Sequence, residues 1–210
     1  MRTKTTTLIA AVLFALIATT GHAQEFSADV VYFNANTKSQ VDSSPGASHP
    51  PSRLYVSGDK IRLETNGLTG TVLLVDRREH AAFALKPGKK SFEPLASGPS
   101  QYFRVDNPED ACPTWKSIAD QKIVCEKVGP DAVNGRETVK YQNKSVSETA
   151  ITFVWIDKAL KFVIKWQSAG VGAELRNIKE EKLAADLFEV PSNYTHASPQ
   201  KGSPKGFRSK

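Results

Sequence analysis

Residues 149–168 read TAITFVWIDKALKFVIKWQS, and their alternation decides the class of the fold. In the second half of this stretch every second residue is large and apolar, which predicts one face made of Leu160, Phe162, Ile164 and Trp166. A period of two is typical of an antiparallel strand with one buried face. The preceding strand carries a matching stripe, made of Ile151, Phe153 and Trp155. These two segments therefore predict a β-hairpin.

Further hairpins are predicted on both sides of this one. The dipeptides Gly58-Asp59 and Asn134-Gly135 are tight-turn signals between β-branched and aromatic segments. The paired segments are 53–57 with 60–66, 71–76 with 80–86, and 123–129 with 136–143. Segments 26–34 and 173–182 add strands at either end. No long amphipathic helix separates the strands, which argues against a βαβ fold and favours an antiparallel meander of about ten strands.

Short helical turns and one last strand complete the predicted elements. Prolines interrupt the strand pattern between residues 97 and 122, where helical turns are expected at 100–104 and 113–120. A further turn is expected at 183–187, followed by a short strand at 188–191. The polar, proline-rich stretch 37–52 is expected to form a loop.

The N-terminus has the order of a secretory signal. A basic start precedes the apolar run 8–18, and Gly21 and Ala23 supply the small residues of a cleavage site. The run is too short to span a bilayer, which takes about 20 apolar residues, although an uncleaved anchor is the alternative. We therefore expect a signal peptide over 1–23, one domain over 24–196 and a tail over 197–210. The mature chain should lie in the periplasm, or otherwise be secreted.

The net charge of +6 belongs mainly to the two ends of the chain. Removing Arg2 and Lys4 with the signal leaves 6 − 2 = +4, and the tail carries that same charge on Lys201, Lys205, Arg208 and Lys210. The domain itself is therefore close to neutral. Nucleic-acid binding requires basic residues clustered on a folded face, so we expect no nucleic-acid partner.

The chain has two cysteines, Cys112 and Cys125, and in an exported protein an even count predicts a disulfide. Their spacing is not that of a C-x-x-C redox motif. A zinc site would need further Cys or His residues nearby. The predicted bridge closes a short loop and is worth roughly 3 kcal/mol in the chain-entropy model.

The sequence contains no recognisable catalytic constellation. His80 begins a strand beside Glu79 and near Asp76, and these three side chains could form an acid–base pair or a metal site. They are also what a polar hairpin end contains. The acids between 106 and 110 lack the spacing of a calcium loop. We therefore expect no catalytic residues, no metal, no cofactor and no enzymatic activity.

Five segments, taken in order, resemble a known family. They are Arg53–Glu64, Thr71–Asp76, Gly129–Tyr141, Thr152–Asp157 and Phe188–Tyr194. Their order and spacing are similar to those of the periplasmic lipoprotein-carrier (Lol carrier) superfamily, in its uncharacterised exported branches. The resemblance implies a curved antiparallel sheet or incomplete barrel with short helices, whose apolar concave face can hold acyl chains.

Two interpretations of the apolar stripes stay open. In the first, the stripes line a half-barrel that binds an acyl chain, a lipid or a lipidated partner. The candidate ligand-binding residues are then Leu63, Leu74, Phe83, Phe153, Trp155, Phe162, Ile164 and Trp166. In the second, the stripes are a fully packed core, and the protein is a structural or protein-interaction domain of the cell envelope.

Overall fold

The computed structural model describes residues 24–34, 39–40, 51–65, 70–95, 103–119, 122–146 and 149–197. The predicted signal peptide and almost all of the predicted tail lie outside these residues. Most of the predicted 37–52 loop lies outside them as well. Among the described residues, no helix is long and apolar enough to cross a bilayer.

The described part of the chain is mostly strand, as predicted. Its N-terminal half contributes β1 (Glu25–Asn34), β2 (Ser39–Gln40), β3 (Ser52–Ser57), β4 (Lys60–Glu64), β5 (Val72–Asp76), β6 (Ala81–Lys86) and β7 (Ser91–Pro94). Its C-terminal half contributes β8 (Ile123–Val133), β9 (Arg136–Ser145), β10 (Ile151–Asp157), β11 (Phe162–Ser168), β12 (Val171–Glu180) and β13 (Thr195–His196). The helix α1 (Cys112–Ile118) lies between β7 and β8. Short 3-10 turns occupy Pro87–Lys89 and Ala185–Phe188.

The strands form one open, curved sheet in the order β13-β7-β6-β5-β4-β3-β1-β12-β11-β10-β9-β8, with β2 paired to β1. The predicted mainly β, curved antiparallel fold is confirmed. Hairpins follow one another from β3 to β7 and from β8 to β12. The first strand then pairs with β3 on one side and with β12 on the other, so it joins two meanders.

Two local predictions were wrong. The last strand is Thr195–His196 rather than 188–191, and it pairs with β7 in parallel. Within the predicted helical turn 100–104, Arg104 instead bridges to Phe162 on β11. The Phe103 carbonyl accepts from the backbone N–H of Val163 at 2.7 Å, so pairing with β11 satisfies backbone groups that a helical turn would otherwise bond locally.

The helix α1 packs on one face of the C-terminal half of the sheet. Trp115 is 1% exposed and meets the ring of Tyr141 edge-on, with ring centroids 5.4 Å apart. The Tyr141 hydroxyl donates to the Pro108 carbonyl at 2.9 Å and accepts from the Ala111 N–H at 3.2 Å. The predicted disulfide is confirmed: Cys112 at the start of α1 is bonded to Cys125 on β8. Burial and a covalent bond therefore both hold α1 on the sheet.

A buried carboxylate organises the turn between β10 and β11. Asp157 is 1% exposed, and its Oδ1 accepts from the backbone N–H groups of Ala159 at 2.9 Å and Leu160 at 2.8 Å. Its Oδ2 pairs with the guanidinium of Arg136, which also donates to Glu180 at 2.9 Å. The hydrogen bond to Asp157 is the main cause of the raised pKa of Arg136. Asp157 therefore ties this turn to β9 and, through Arg136, to β12.

Three hydrophobic clusters make up the core of the part of the chain that the structure describes. The largest joins β1, β3 and β4 to β10, β11 and β12, with Phe26 and Phe162 edge-on at a centroid distance of 5.3 Å. The second lies under α1. The third lies among β5, β6 and β7, where Val190 and Tyr194 from the C-terminal segment pack against it.

Candidate functional site

A row of four residues crosses the sheet from β9 to β12. The cross-strand partners are Lys140 with Trp155, Trp155 with Lys165, and Lys165 with Glu174. Directly opposed residues of antiparallel strands have their side chains on the same face. Phe153 is two positions before Trp155 on β10, and alternate residues of a strand share a face, so Phe153 lies on this face too. Two lysines therefore flank a tryptophan on one face of the sheet.

Both lysines lie over aromatic rings. The Lys140 ammonium is 4.7 Å from the ring centroid of Phe153 and 4.8 Å from that of Trp155. The Lys165 ammonium is 5.0 Å from the Trp155 ring and 5.5 Å from the Phe33 ring. At these distances the ring faces attract the cations. We call these five residues the lysine–aromatic patch.

Gly172 gives the Phe33 ring its position in the patch. Phe33 on β1 stands opposite Gly172 on β12. A Cβ added at Gly172 would lie 2.6 Å from Cζ of Phe33 and closer still to the backbone oxygen of Trp166. The Phe33 ring therefore occupies the space that the side chain of any other residue type at position 172 would fill. This close approach brings Phe33 within reach of Lys165.

The two lysines differ in their acidic partners. Lys165 pairs with Glu174 at 3.7 Å, and Glu174 also accepts from Arg176 at 2.6 Å. Lys140 forms no ion pair within 4.0 Å with any carboxylate of the described residues. The nearby Asp131 accepts from Nε1 of Trp155 at 2.8 Å, and this bond is the main cause of its lowered pKa, with Lys140 and Lys165 contributing less. Lys140 is thus the less neutralised of the two cations.

The patch opens to solvent at one end. Trp155 is 7% exposed and Phe153 is half-buried, while Ile151 at the start of β10 is 44% exposed. Val124 on β8 is 59% exposed and shares the face of Ile151, because both residues stand opposite Lys144. An apolar track therefore runs along β10 from buried Trp155 past Phe153 to exposed Ile151, and Lys144 of β9 separates it from Val124 on the edge strand.

The structure divides the eight residues predicted to bind ligand. Six belong to or pack against the largest cluster: Leu63, Phe153, Trp155, Phe162, Ile164 and Trp166. Leu74 and Phe83 belong to the third cluster. Leu63 stands opposite Leu73, while Leu74 stands opposite Phe83, so these two pairs lie on opposite faces. The prediction of one shared face is therefore wrong, and the ligand-binding role of all eight stays a prediction.

A β-bulge explains why the clean alternation on β11 misplaced some side chains. The register shifts between Trp155 and Ile156, so Asp157 pairs with Phe162 while Val154 pairs with Trp166. Asp157 and Val154 are three residues apart on β10, so their side chains lie on opposite faces of the sheet. Their partners Phe162 and Trp166 therefore lie on opposite faces as well. The same shift moves Lys165 onto the Trp155 face. Sequence reasoning missed both lysines of the patch, because half-exposed lysines carry no hydrophobic signal, and it missed the aromatic ring from β1.

Comparison with solved structures gives the fold distant counterparts. An uncharacterized conserved protein from Thermus thermophilus is 12% identical, with a TM-score of 0.50 over 83% of this chain and 90% of that one. PNGF-II is 14% identical with a TM-score of 0.50, over 84% of this chain, which spans 31% of the PNGF-II chain. At such identities the likeness concerns the fold alone.

Lipoprotein-sorting structures are among the distant neighbours as well. A putative outer membrane lipoprotein-sorting protein domain from Vibrio parahaemolyticus is 14% identical, over 80% of this chain and 90% of that one. Its TM-score of 0.33 is too low to carry a conclusion about fold or function. No family model matches the chain, and no curated protein matches it.

The polar candidates from the sequence have structural partners. The Asp76 carboxylate accepts from the backbone N–H groups of Arg78 at 3.0 Å and Glu79 at 3.1 Å, and so caps the turn before His80. Glu109 pairs with Lys127 at 2.7 Å and with Lys158 at 3.1 Å. The Lys127 hydrogen bond is the main cause of the lowered pKa of Glu109. The residues that the structure describes contain no group of three metal-ligating side chains.

A separate polar depression of about 370 Å³ lies where β1 and β12 are irregularly paired. Asp29, Arg53, Asn177, Ile178 and Lys179 line it. The Asp29 carboxylate accepts from the amide of Asn177 at 2.7 Å and is 3.8 Å from Nε of Arg53. These side chains hold one another in place.

Proposed function

We propose that this protein is an exported, non-enzymatic binder of a hydrophobic ligand, and that an acyl chain lies along the apolar track beside the lysine–aromatic patch. The observation that carries the proposal is the track itself, which runs from Trp155 at 7% exposure to Ile151 at 44%. Apolar side chains that continue from a core to solvent offer area that an acyl chain can cover.

The dimensions of the track suit a single chain. Trp155 and Ile151 are four residues apart on β10, a length of about 13 Å at roughly 3.3 Å per residue. An extended dodecyl chain is of comparable length, and its binding along the track would remove the exposed Ile151 side chain from water.

Export is supported by two independent features. Residues 1–23 have the basic start, the apolar run and the small-residue site that are typical of a secretory signal. The Cys112–Cys125 disulfide is of the kind that persists in oxidising compartments such as the periplasm. Together they support a cell-envelope or secreted location for the domain.

A non-enzymatic role is supported by the chemistry of the patch. Its polar groups are two ammonium groups over aromatic rings, with Asp131 bonded to an indole and Glu174 paired to cations. A nucleophile activated by an adjacent base is what covalent catalysis requires, and no such pair is among these groups. Binding is the activity that such a face supports best.

A matched pair of surface variants tests the location of the ligand. Ile151 and Val171 are similarly exposed, at 44% and 49%, at the starts of two strands of the same meander. Val171 stands opposite Ser168, which stands opposite Thr152, so Val171 lies on the face opposite to Ile151. Both Ile151→Glu and Val171→Glu should therefore fold.

Binding of dodecanoate and dodecan-1-ol is then measured by tryptophan fluorescence for the exported, disulfide-bonded protein. We expect Ile151→Glu to weaken binding of both compounds by about tenfold, since a charge in an apolar contact costs on the order of 1–2 kcal/mol. Val171→Glu should bind like the wild type. If the wild type binds neither compound, and no lipid is extracted from it by mass spectrometry, the proposed function is wrong.

A second candidate function, a protein-interaction domain of the envelope, is favoured by the edge strand β8. Val128 on this strand is 53% exposed and Val124 is 59% exposed. Unpaired strand edges with exposed apolar residues are sites where a partner strand can add. The fully buried Phe162 and Ile164, each 1% exposed, also agree with a packed core. In that case dodecanoate should not bind, and a co-purifying protein should be lost in Val124→Lys.

A further inference from the structure

Among the residues that the structure describes, no carboxylate forms an ion pair with the ammonium of Lys140. It lies over the rings of Phe153 and Trp155, and it is half-buried at the side of the apolar track. Ring faces supply only part of the stabilisation that a desolvated ammonium loses on leaving water. The ion pair with Glu174 already occupies Lys165, so the two lysines are not equivalent.

The two acidic side chains on the same face as Lys140, Asp131 and Glu126, do not act as its counter-ion. Asp131 is held by the indole N–H of Trp155 and by the backbone N–H of Ala132 at 2.7 Å, and it lies beyond ion-pair distance from Lys140. Glu126 on β8 lies on the same face of the sheet as Lys140, and its carboxylate accepts from the amide of Gln142 at 2.5 Å. Neither of these two carboxylates lies within 4.0 Å of the Lys140 ammonium.

We propose that the ligand of this face is a long-chain carboxylate, and that Lys140 binds its head group while Phe153 and Ile151 contact its chain. This assignment rests on the proposed function and names the chemical class of its ligand. A carboxylate beside Lys140 would form a charge-assisted hydrogen bond, and the acyl chain would follow β10 away from Trp155. An alcohol or an ester at the same place would lack the charge.

The test compares three dodecyl compounds that differ only in their head groups: dodecanoate, dodecan-1-ol and dodecyltrimethylammonium, each below its micellar concentration. For the wild type we expect dodecanoate to bind most tightly and the cation most weakly. Lys140→Gln should weaken dodecanoate binding by about tenfold and change dodecan-1-ol binding by no more than about twofold, which corresponds to the loss of one charged hydrogen bond. Lys60→Gln is the matched control, because Lys60 is exposed on β4 and the same charge is removed there.

A second variant keeps the inference testable if Lys140→Gln folds poorly. Asp131→Asn retains an oxygen for the Trp155 indole but removes a negative charge near Lys140, so it should strengthen dodecanoate binding and leave dodecan-1-ol binding unchanged. If wild type and Lys140→Gln bind dodecanoate and dodecan-1-ol equally well, the carboxylate assignment is overturned while the proposed function stands. If no dodecyl compound binds, the proposed function fails first.

Discussion

Removing the Cys112–Cys125 disulfide should destabilise the domain by about 3 kcal/mol without unfolding it. The bridge spans a sequence separation of 13 residues. In the chain-entropy model a cross-link over such a loop lowers the entropy of the unfolded chain by about 2.1 + 1.5R ln 13, or roughly 10 cal/mol/K, which is about 3 kcal/mol at 25 °C. The double variant Cys112→Ala/Cys125→Ala releases that constraint.

The native fold should survive because burial also holds α1 in place. Trp115 is 1% exposed beneath the helix, and Tyr141 contacts it edge-on while bonding to Pro108 and Ala111. A fully buried aromatic side chain contributes about 1.5–3 kcal/mol. The variant should therefore keep its near-ultraviolet circular dichroism, and its melting temperature should fall by about 6–12 °C for a domain of this size.

The assay is urea unfolding of the double variant against the oxidised wild type, both followed by tryptophan fluorescence. The wild type in reductant is the matched control, and it should reproduce the loss seen in the variant. A loss below about 1 kcal/mol would refute the entropic reasoning. A loss of near-ultraviolet signal in buffer would show instead that the disulfide, and not burial, holds α1.

Three further predictions concern the turn, the patch and the pH dependence. Asp157→Ala leaves two turn N–H groups without their acceptor and leaves the Arg136 guanidinium with Glu180 alone, and it should cost about 3–5 kcal/mol in urea unfolding, more than Asp157→Asn; equal losses would contradict this role. Gly172→Ala places a methyl group against the Trp166 carbonyl and the Phe33 ring and should cost about 1–3 kcal/mol, while Gly88→Ala, which has no atom within 4 Å of its Cβ, should be neutral. Burial raises the pKa of Tyr141, so the unfolded state ionises first and stability falls as pH rises above about 10; the urea midpoint should fall less steeply in Tyr141→Phe, and parallel curves would count against this.

Much of the fold could be predicted from local sequence signals. Gly58-Asp59 and Asn134-Gly135 correctly marked two hairpin turns, since residues with positive φ are what such turns require: φ is 57° at Gly58 and 50° at Asn134. The disulfide followed from the even cysteine count. These features depend on short-range geometry, which the sequence carries directly.

The register and the candidate site depend on longer-range geometry. The bulge opposite Trp155 inserts one residue into β11 and moves Lys165 onto the tryptophan face, and period-two reasoning has no term for such an insertion. Phe33 and Lys140 are more than 100 residues apart in sequence, and only the pairing of β1 with β12 brings the Phe33 ring close to Lys165. A lysine that contacts an aromatic ring on another strand produces no periodic pattern in the sequence of its own strand.

The most direct test of the proposed binding function follows backbone amide resonances while the protein is titrated with dodecanoate. The proposal predicts that chemical-shift changes concentrate at Lys140, Ile151, Phe153 and Trp155 and saturate together. It predicts no comparable changes at Leu74, which lies in the separate cluster among β5, β6 and β7. Changes centred on Leu74, or no saturable changes anywhere, would contradict it.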